Sequence, residues 1–346
     1  WEAETVFSGN HAPDGGGGGL DVYDGSSAWW SAATNFTDNH ATHTGGAMQA
    51  NAASVSWTAK TVFTDNTASS GGAMYVLLAA TASWTGETSF LNNSANYGGA
   101  LLASDYSSAS WEGDTSFIDN SANTSGGALS LNIGSSISWT SGTTYFMGNT
   151  ALHRGGGAVY ALDRSNVSWE AETAFVENSA TRAGGAVLIE YGSNVSWRAN
   201  TSFRNNDAGA SGGAVSISSS NENSEDISSF IVIDAPTTFV ENSCRAGGGA
   251  MAIVGEIPAN FTPNTVRFER NSADFGGAVF VASSEIGPQF IGATFTSNSA
   301  ERGGAAFLTG SGNKVTDYKF LDPTTFDQCQ FHQNVAGIDG GAVETG

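Results

Sequence analysis

The chain has 346 residues and a formal net charge of −21, from 33 acidic and 12 basic side chains; it holds 45 Gly, only 6 Pro, and 11% aromatic residues. That charge repels phosphate backbones and anionic lipid surfaces, which argues against nucleic-acid or membrane-surface binding. The aromatic content is too high for a disordered chain, and no stretch approaches the ~18–20 apolar residues of a membrane-spanning helix.

The chain reads as one repeated unit. Phe-x-x-Asn begins at Phe7, Phe36, Phe63, Phe90, Phe117, Phe146, Phe175, Phe203, Phe239, Phe268, Phe295 and Phe331. A glycine pair follows each within a few residues. In the first unit it is Gly17-Gly18-Gly19-Leu20; later units carry Gly-Gly-Ala, as at Gly45-Gly46-Ala47, Gly71-Gly72-Ala73 and Gly276-Gly277-Ala278. A Trp precedes the Phe in the first eight units, from Trp1 to Trp197, and none precedes it in the last four. A period near 28 residues without a helical stripe predicts one solenoid coil per repeat.

Alternation inside each unit predicts strands. Val55, Trp57, Ala59, Thr61 and Phe63 alternate with mostly polar neighbours, and Ala82, Trp84, Gly86, Thr88 and Phe90 repeat the pattern one unit later. This is the period of a strand with one face buried. A second alternating run follows the glycines, with Val187 and Ile189, Val215 and Ile217, or Val279 and Val281 facing inward. The fifth residue after each Phe is Ala in every unit but one, where it is Cys244. A slot restricted to small residues is an inward position at a tight corner, so Cys244 reads as a buried, unreactive thiol. Cys244 and Cys329, three coils apart at roughly 14 Å, are too distant for a disulfide. Corners leave backbone groups outside the sheet ladder, and an inward Asn supplies partners for them while bonding its equivalents in adjacent coils. Gly-Gly supplies backbone conformations that a Cβ forbids.

These readings predict an all-β fold: a right-handed parallel β-helix, or β-solenoid, of about twelve coils and ~28 residues per coil. Its structural columns include Phe63, Phe90 and Phe117; Asn66, Asn93 and Asn120; and Trp57, Trp84 and Trp111. Residues 1–346 form a single solenoid, with regular Trp-containing coils over 1–214 and Trp-less coils with two insertions over 215–346. Both ends fall inside the repeat, so the chain reads as a section of a longer protein. The insertions, around Asn221–Asp226 and Gly310–Tyr318, follow the Gly-Gly-Ala strand and are expected on one edge of the rod.

Gly-Gly-Ala followed by Ile, Leu or Val and paired with Phe-x-x-Asn resembles the repeats of polymorphic outer membrane proteins. The resemblance covers essentially the whole chain. It implies a right-handed β-helix displayed at a surface and used in adhesion, and it carries no catalytic residues.

Candidate chemistry is sparse. His11 and His40 occupy equivalent positions with His43 nearby, and read as solvated turn residues rather than a metal site. Glu87 and Asp114 share an outward row with Glu4 and Glu172, broken by Lys60 and Asn200; the row suits solubility better than calcium or glycan cleavage. Arg154, Arg182, Arg245 and Arg302 lie near the glycine corner, with no acid cluster in their own row. Ser56, Ser83, Ser110, Ser138, Ser168 and Ser196 each precede a Trp and form the most regular outward row. Glycosylation sequons occur at Asn35, Asn92, Asn123, Asn166, Asn194, Asn200 and Asn260; Asn35 and Asn200, flanking the buried strand on its outer side, are the candidate acceptors.

The expected function is therefore an extracellular or cell-surface structural and adhesive rod, not an enzyme, with no cofactor and no metal. Glycans or surface proteins are the expected partners, together with end-to-end self-association into a filament. A polysaccharide-binding or polysaccharide-cleaving β-helix, and an ice- or mineral-binding solenoid, are the alternatives.

Overall fold

The structure, a computed structural model, describes residues 1–219, 229–283, 287–310 and 324–346. Both predicted insertions lie largely outside the described residues. The described elements are β-strands without helix, and their sheets run coil upon coil.

One coil shows the plan. The Trp strand Thr81–Trp84 leads to the Phe strand Thr88–Leu91, then a corner strand Ser94–Tyr97, then the Gly-Gly-Ala strand Leu101–Ala103. Each pairs in parallel with its equivalent one coil away: Trp84 with Trp57 and Trp111, Phe90 with Phe63 and Phe117, Leu101 with Met74 and Leu129. The Phe strands build one twelve-stranded sheet and the Gly-Gly-Ala strands another. Both sheets pass through position 214/215 without a break: in one the strand Val215–Ser218 pairs on both sides, and in the other Thr201–Arg204 pairs with Thr237–Val240.

The alternation works as the pleat requires. In the Phe strand Thr61–Thr64 the inward Thr61 and Phe63 are fully buried, while Val62 and Thr64 are half-buried on the outer side. Phe rings stack along the axis from Phe7 to Phe331, with centroids 4.7–5.0 Å apart. Indoles stack beside them from Trp1 to Trp197 at 4.7–5.4 Å, meeting the Phe rings edge to face at 5.4–6.4 Å. Inward Thr side chains other than Thr144 are accommodated because the hydroxyl turns back onto a carbonyl two residues earlier, as Thr88 does to Gly86 at 3.2 Å and Thr115 to Gly113 at 3.0 Å.

The Trp column does not simply end. Trp197 pairs with Ile233, Ile233 with Phe261, and the next two coils place Phe290 and Phe326 in line. Phe261, Phe290 and Phe326 stack at 5.0 and 5.2 Å. The exchange is physically open because the seven buried indole N–H groups from Trp30 to Trp197 have no hydrogen-bond acceptor. The column is held by ring burial and stacking, which a phenyl ring also supplies.

The corner depends on two devices. The residue before each Asn takes the left-handed conformation, as Asp65 (φ 55°), Asn92 (φ 54°) and Asp119 (φ 54°) do. That kink turns the Asn side chain inward, where it is fully buried from Asn39 to Asn298. The Asn93 backbone N–H and Nδ2 both donate to Asn120 Oδ1 at 3.0 Å, and Nδ2 also donates to the Phe63 carbonyl at 3.0 Å. The same triplet recurs coil after coil, so the ladder runs unbroken from Asn10 to Asn334.

The small-residue corner column is in register, with Ala95, Ala122, Ala151, Ala180, Ala208 and Cys244 successive partners. It is buried at Ala122, Ala151, Ala180, Ala208 and Cys244 and half-buried at Ala95 and Ala273. Both cysteines are free thiols.

Candidate binding surfaces

The three outer faces differ in relief. On the Trp face, Ser56, Ser83, Ser110, Ser138, Ser168 and Ser196 are successive partners in parallel register. Trp29, half exposed, precedes Ser56 in the same column, and Val232 follows Ser196. The face is a flat hydroxyl column framed by two apolar residues.

Over six consecutive coils the outer side of the Gly-Gly-Ala sheet is not a solvated face. Leu102, Ser130, Tyr160, Leu188, Ser216 and Ala252 point outward by register yet are all buried. The corner curls over them: a Cβ on Gly155 would lie 2.7 Å from Leu188 Cδ2. Of the four corner arginines, Arg154 and Arg302 pack into this concavity, while Arg182 and Arg245 are exposed. Arg154 pairs with Glu190 at 3.1 Å, Tyr160 Oη donates to the same carboxylate at 2.8 Å, and the guanidinium lies 5.5 Å from the Tyr160 ring and 5.9 Å from that of Tyr191. Burial, with Glu190 beside it, pushes the Tyr160 phenol well above its usual range. Arg302 likewise pairs with Glu344 and lies over Phe307. The acids that neutralise these arginines come from the following coils, a juxtaposition the row-by-row sequence reading did not find. Toward the end of the same concavity, Phe275, Phe280 and Phe307 line an apolar hollow of about 280 Å³.

The predicted titratable rows are placed as follows. His11 and His40 are register partners with ring centroids 4.8 Å apart, and His40 Nδ1 bonds Thr67 Oγ1 at 2.7 Å. Among the described residues no group of three or more His, Cys, Asp or Glu is arranged to hold a metal ion. The outward acidic row is partly neutralised: Lys60 reaches Glu87 at 2.8 Å, and Asp114 accepts from the Thr143 backbone and hydroxyl at 2.8 and 2.9 Å. Asn35 is half-buried and Asn200 exposed.

Cys244 has its thiol pushed up to about 12, chiefly by burial, and bonds the Gly248 carbonyl at 3.4 Å. The neutral thiol is therefore kept far above the pH at which an exposed cysteine ionises. Because the unfolded thiol ionises first, the fold loses stability from this residue between about pH 9 and 12. A disulfide-exchange reagent at pH 8 is expected to label the half-exposed Cys329 in the native protein and to reach Cys244 only in denaturant. Equal labelling of both thiols in native buffer would contradict the buried placement.

The Phe face carries an open groove. Four coils form a groove of about 540 Å³, walled by Tyr145, Glu172, Asn200 and Thr238 over a floor of Ala174 and Ser202. Its floor is low because the outward column passes from Tyr145 to two small residues and then to Thr238.

Fold and surface together define a parallel β-helical protein of short stacked repeats with unbroken interior columns. Two stretches, residues 87–104 and 114–132, match the Chlamydia polymorphic membrane protein repeat. Each contains a Phe-x-x-Asn and its Gly-Gly-Ala, the Phe strand, corner and Gly-Gly-Ala strand of one coil. Two of the coils thus match this repeat. No curated protein and no solved structure matches the chain.

Proposed function

We propose that the chain is a surface-displayed rod that adheres to glycans or proteins on another surface. The observation that carries this reading is the uninterrupted Asn ladder, with aromatic columns on the same repeat. Such a solenoid is stiff along its axis, because each coil hydrogen-bonds to the next along several sheets. It holds a contact face at a fixed distance from its anchor, and its sides present long, regular surfaces. The matched repeat, from polymorphic membrane proteins, supports display at a membrane surface. The reading assigns the rod no catalytic role: its best-placed arginines, Arg154 and Arg302, are engaged by Glu190 and Glu344.

The test is attachment. Beads coated with the protein are expected to resist washing from cultured epithelial cells well above beads coated with serum albumin. Equal retention of the two bead types overturns the adhesive reading.

A further inference from the structure

We infer that the groove on the Phe face, between Tyr145 and Thr238, binds an extended, uncharged oligosaccharide lying along the rod axis. The inference rests on the adhesive reading and names the ligand class of one site on the rod.

Four observations converge on it. The groove spans the coils of Phe146, Phe175, Phe203 and Phe239, whose outward residues Tyr145, Ala174, Ser202 and Thr238 are consecutive register partners. Three coil steps make it roughly 14 Å long, and a sugar ring in an extended β-linked chain advances by roughly one coil step, about 4.8 Å. Successive sugars therefore fall over successive coils.

The chemistry of the walls suits a sugar. Tyr145 is 51% exposed, where the two preceding coils carry only Ser89 and Ser116 in the same outward column. An exposed ring offers an apolar face to the axial C–H surface of a pyranose and a hydroxyl to its rim. Glu172, Asn200 and Thr238 add acceptors and donors along the length. Ala174 and Ser202 leave room for the ring between them.

The charge selects the class. Glu172 is exposed and has no ion pair among the described residues, and no basic residue lines the groove. With a chain charge of −21, a uronate or sulfated chain is repelled, and a neutral or N-acetylated one is not. The geometry also separates this groove from the Ser column, which is flat and has no aromatic wall within it between Ser56 and Ser196.

The experiment uses chitotetraose and cellotetraose as neutral probes and tetragalacturonate as the anionic one, with binding followed by calorimetry and by saturation-transfer NMR. At least one neutral tetrasaccharide is expected to bind, and tetragalacturonate is not. Tyr145→Ala is expected to weaken binding at least about tenfold, and Tyr145→Phe to retain most of it. Tyr145 lies outside the core, so both variants should melt as the native chain does. An unchanged affinity in Tyr145→Ala, or preference for the anionic probe, overturns the inference. If neither neutral probe binds while coated beads still adhere, the groove assignment falls and the adhesive reading stands. If a neutral probe binds at Tyr145 but the beads wash off, the groove stands and the adhesive reading falls.

Discussion

Asn120→Ala is expected to destabilise the rod by roughly 3–5 kcal/mol, because it orphans buried polar groups in more than one coil. The Asn93 backbone N–H and side-chain amide both lose their acceptor, the Asn120 oxygen at 3.0 Å. The Phe90 carbonyl loses the Asn120 amide at 3.0 Å, and Asn149 Oδ1 keeps only the backbone donor of residue 120. All four Asn and Phe residues are fully buried, so water cannot replace what is lost. Asn123→Ala, at an exposed position whose amide reaches only Asn96 at 3.4 Å, is the matched control and should cost little. Guanidinium unfolding of the two variants checks this; equal midpoints would mean that the ladder contributes nothing beyond its neighbours.

A still larger loss is expected from Gly127→Ala. The two glycines of each pair have different tasks. Gly126 has φ 65°, a left-handed conformation that a side chain disfavours. Gly127 does not, but a Cβ there would lie 2.0 Å from the Gly157 carbonyl oxygen and 2.6 Å from the Thr150 nitrogen. Both obstacles are backbone of the next coil, so no rotamer change relieves them. The coils must separate locally, against the bonds from Gly126 to Gly155 at 3.1 Å and from Gly127 to Gly156 at 3.0 Å. A cost of more than about 4 kcal/mol is expected, read as loss of soluble protein or a large fall in the melting temperature. Gly15→Ala, where a Cβ would meet nothing within 4 Å and φ is not positive, should be tolerated. A Gly127→Ala protein that melts with the native chain would show that the coils are not packed this closely.

Much of this architecture was legible before any coordinates, for a simple reason. In a solenoid, residues one period apart become neighbours, so one-dimensional repetition maps directly onto contacts. Phe63, Phe90 and Phe117 stack because their motif repeats, and Asn66, Asn93 and Asn120 bond one another for the same reason. The left-handed kink before the Asn was only partly written in the chain: Gly9, Asp38, Asp65, Asn92, Asp119, Gly148 and Asn205 are residue types that tolerate that conformation, whereas Glu177, Glu241, Arg270, Ser297 and Gln333 adopt it without such a signal.

What escaped the sequence was relief. Nothing in the alternation of Leu102, Tyr160 and Leu188 says that an outward column is covered; that follows from the angle at which the corner meets the next sheet. The partner of Arg154 escaped because Glu190 lies one coil on and at the far end of a different strand. Phe261, Phe290 and Phe326 continue the Trp column with a different side chain, hidden from a reading that followed Trp. The groove escaped because it depends on two small residues, Ala174 and Ser202, following one large one along the axis rather than along the chain.

The stacking itself is tested most directly by distances between spin labels on the Ser column. With Cys244→Ala and Cys329→Ser removing the native thiols, labels at Ser56 paired in turn with Ser138, Ser168 and Ser196 lie three, four and five coils apart in register. Dipolar spectroscopy should give separations that grow in equal steps, near 14, 19 and 24 Å, one strand spacing per coil. Separations that scatter, or that fail to rise with each added coil, would contradict the β-helix and everything built on it.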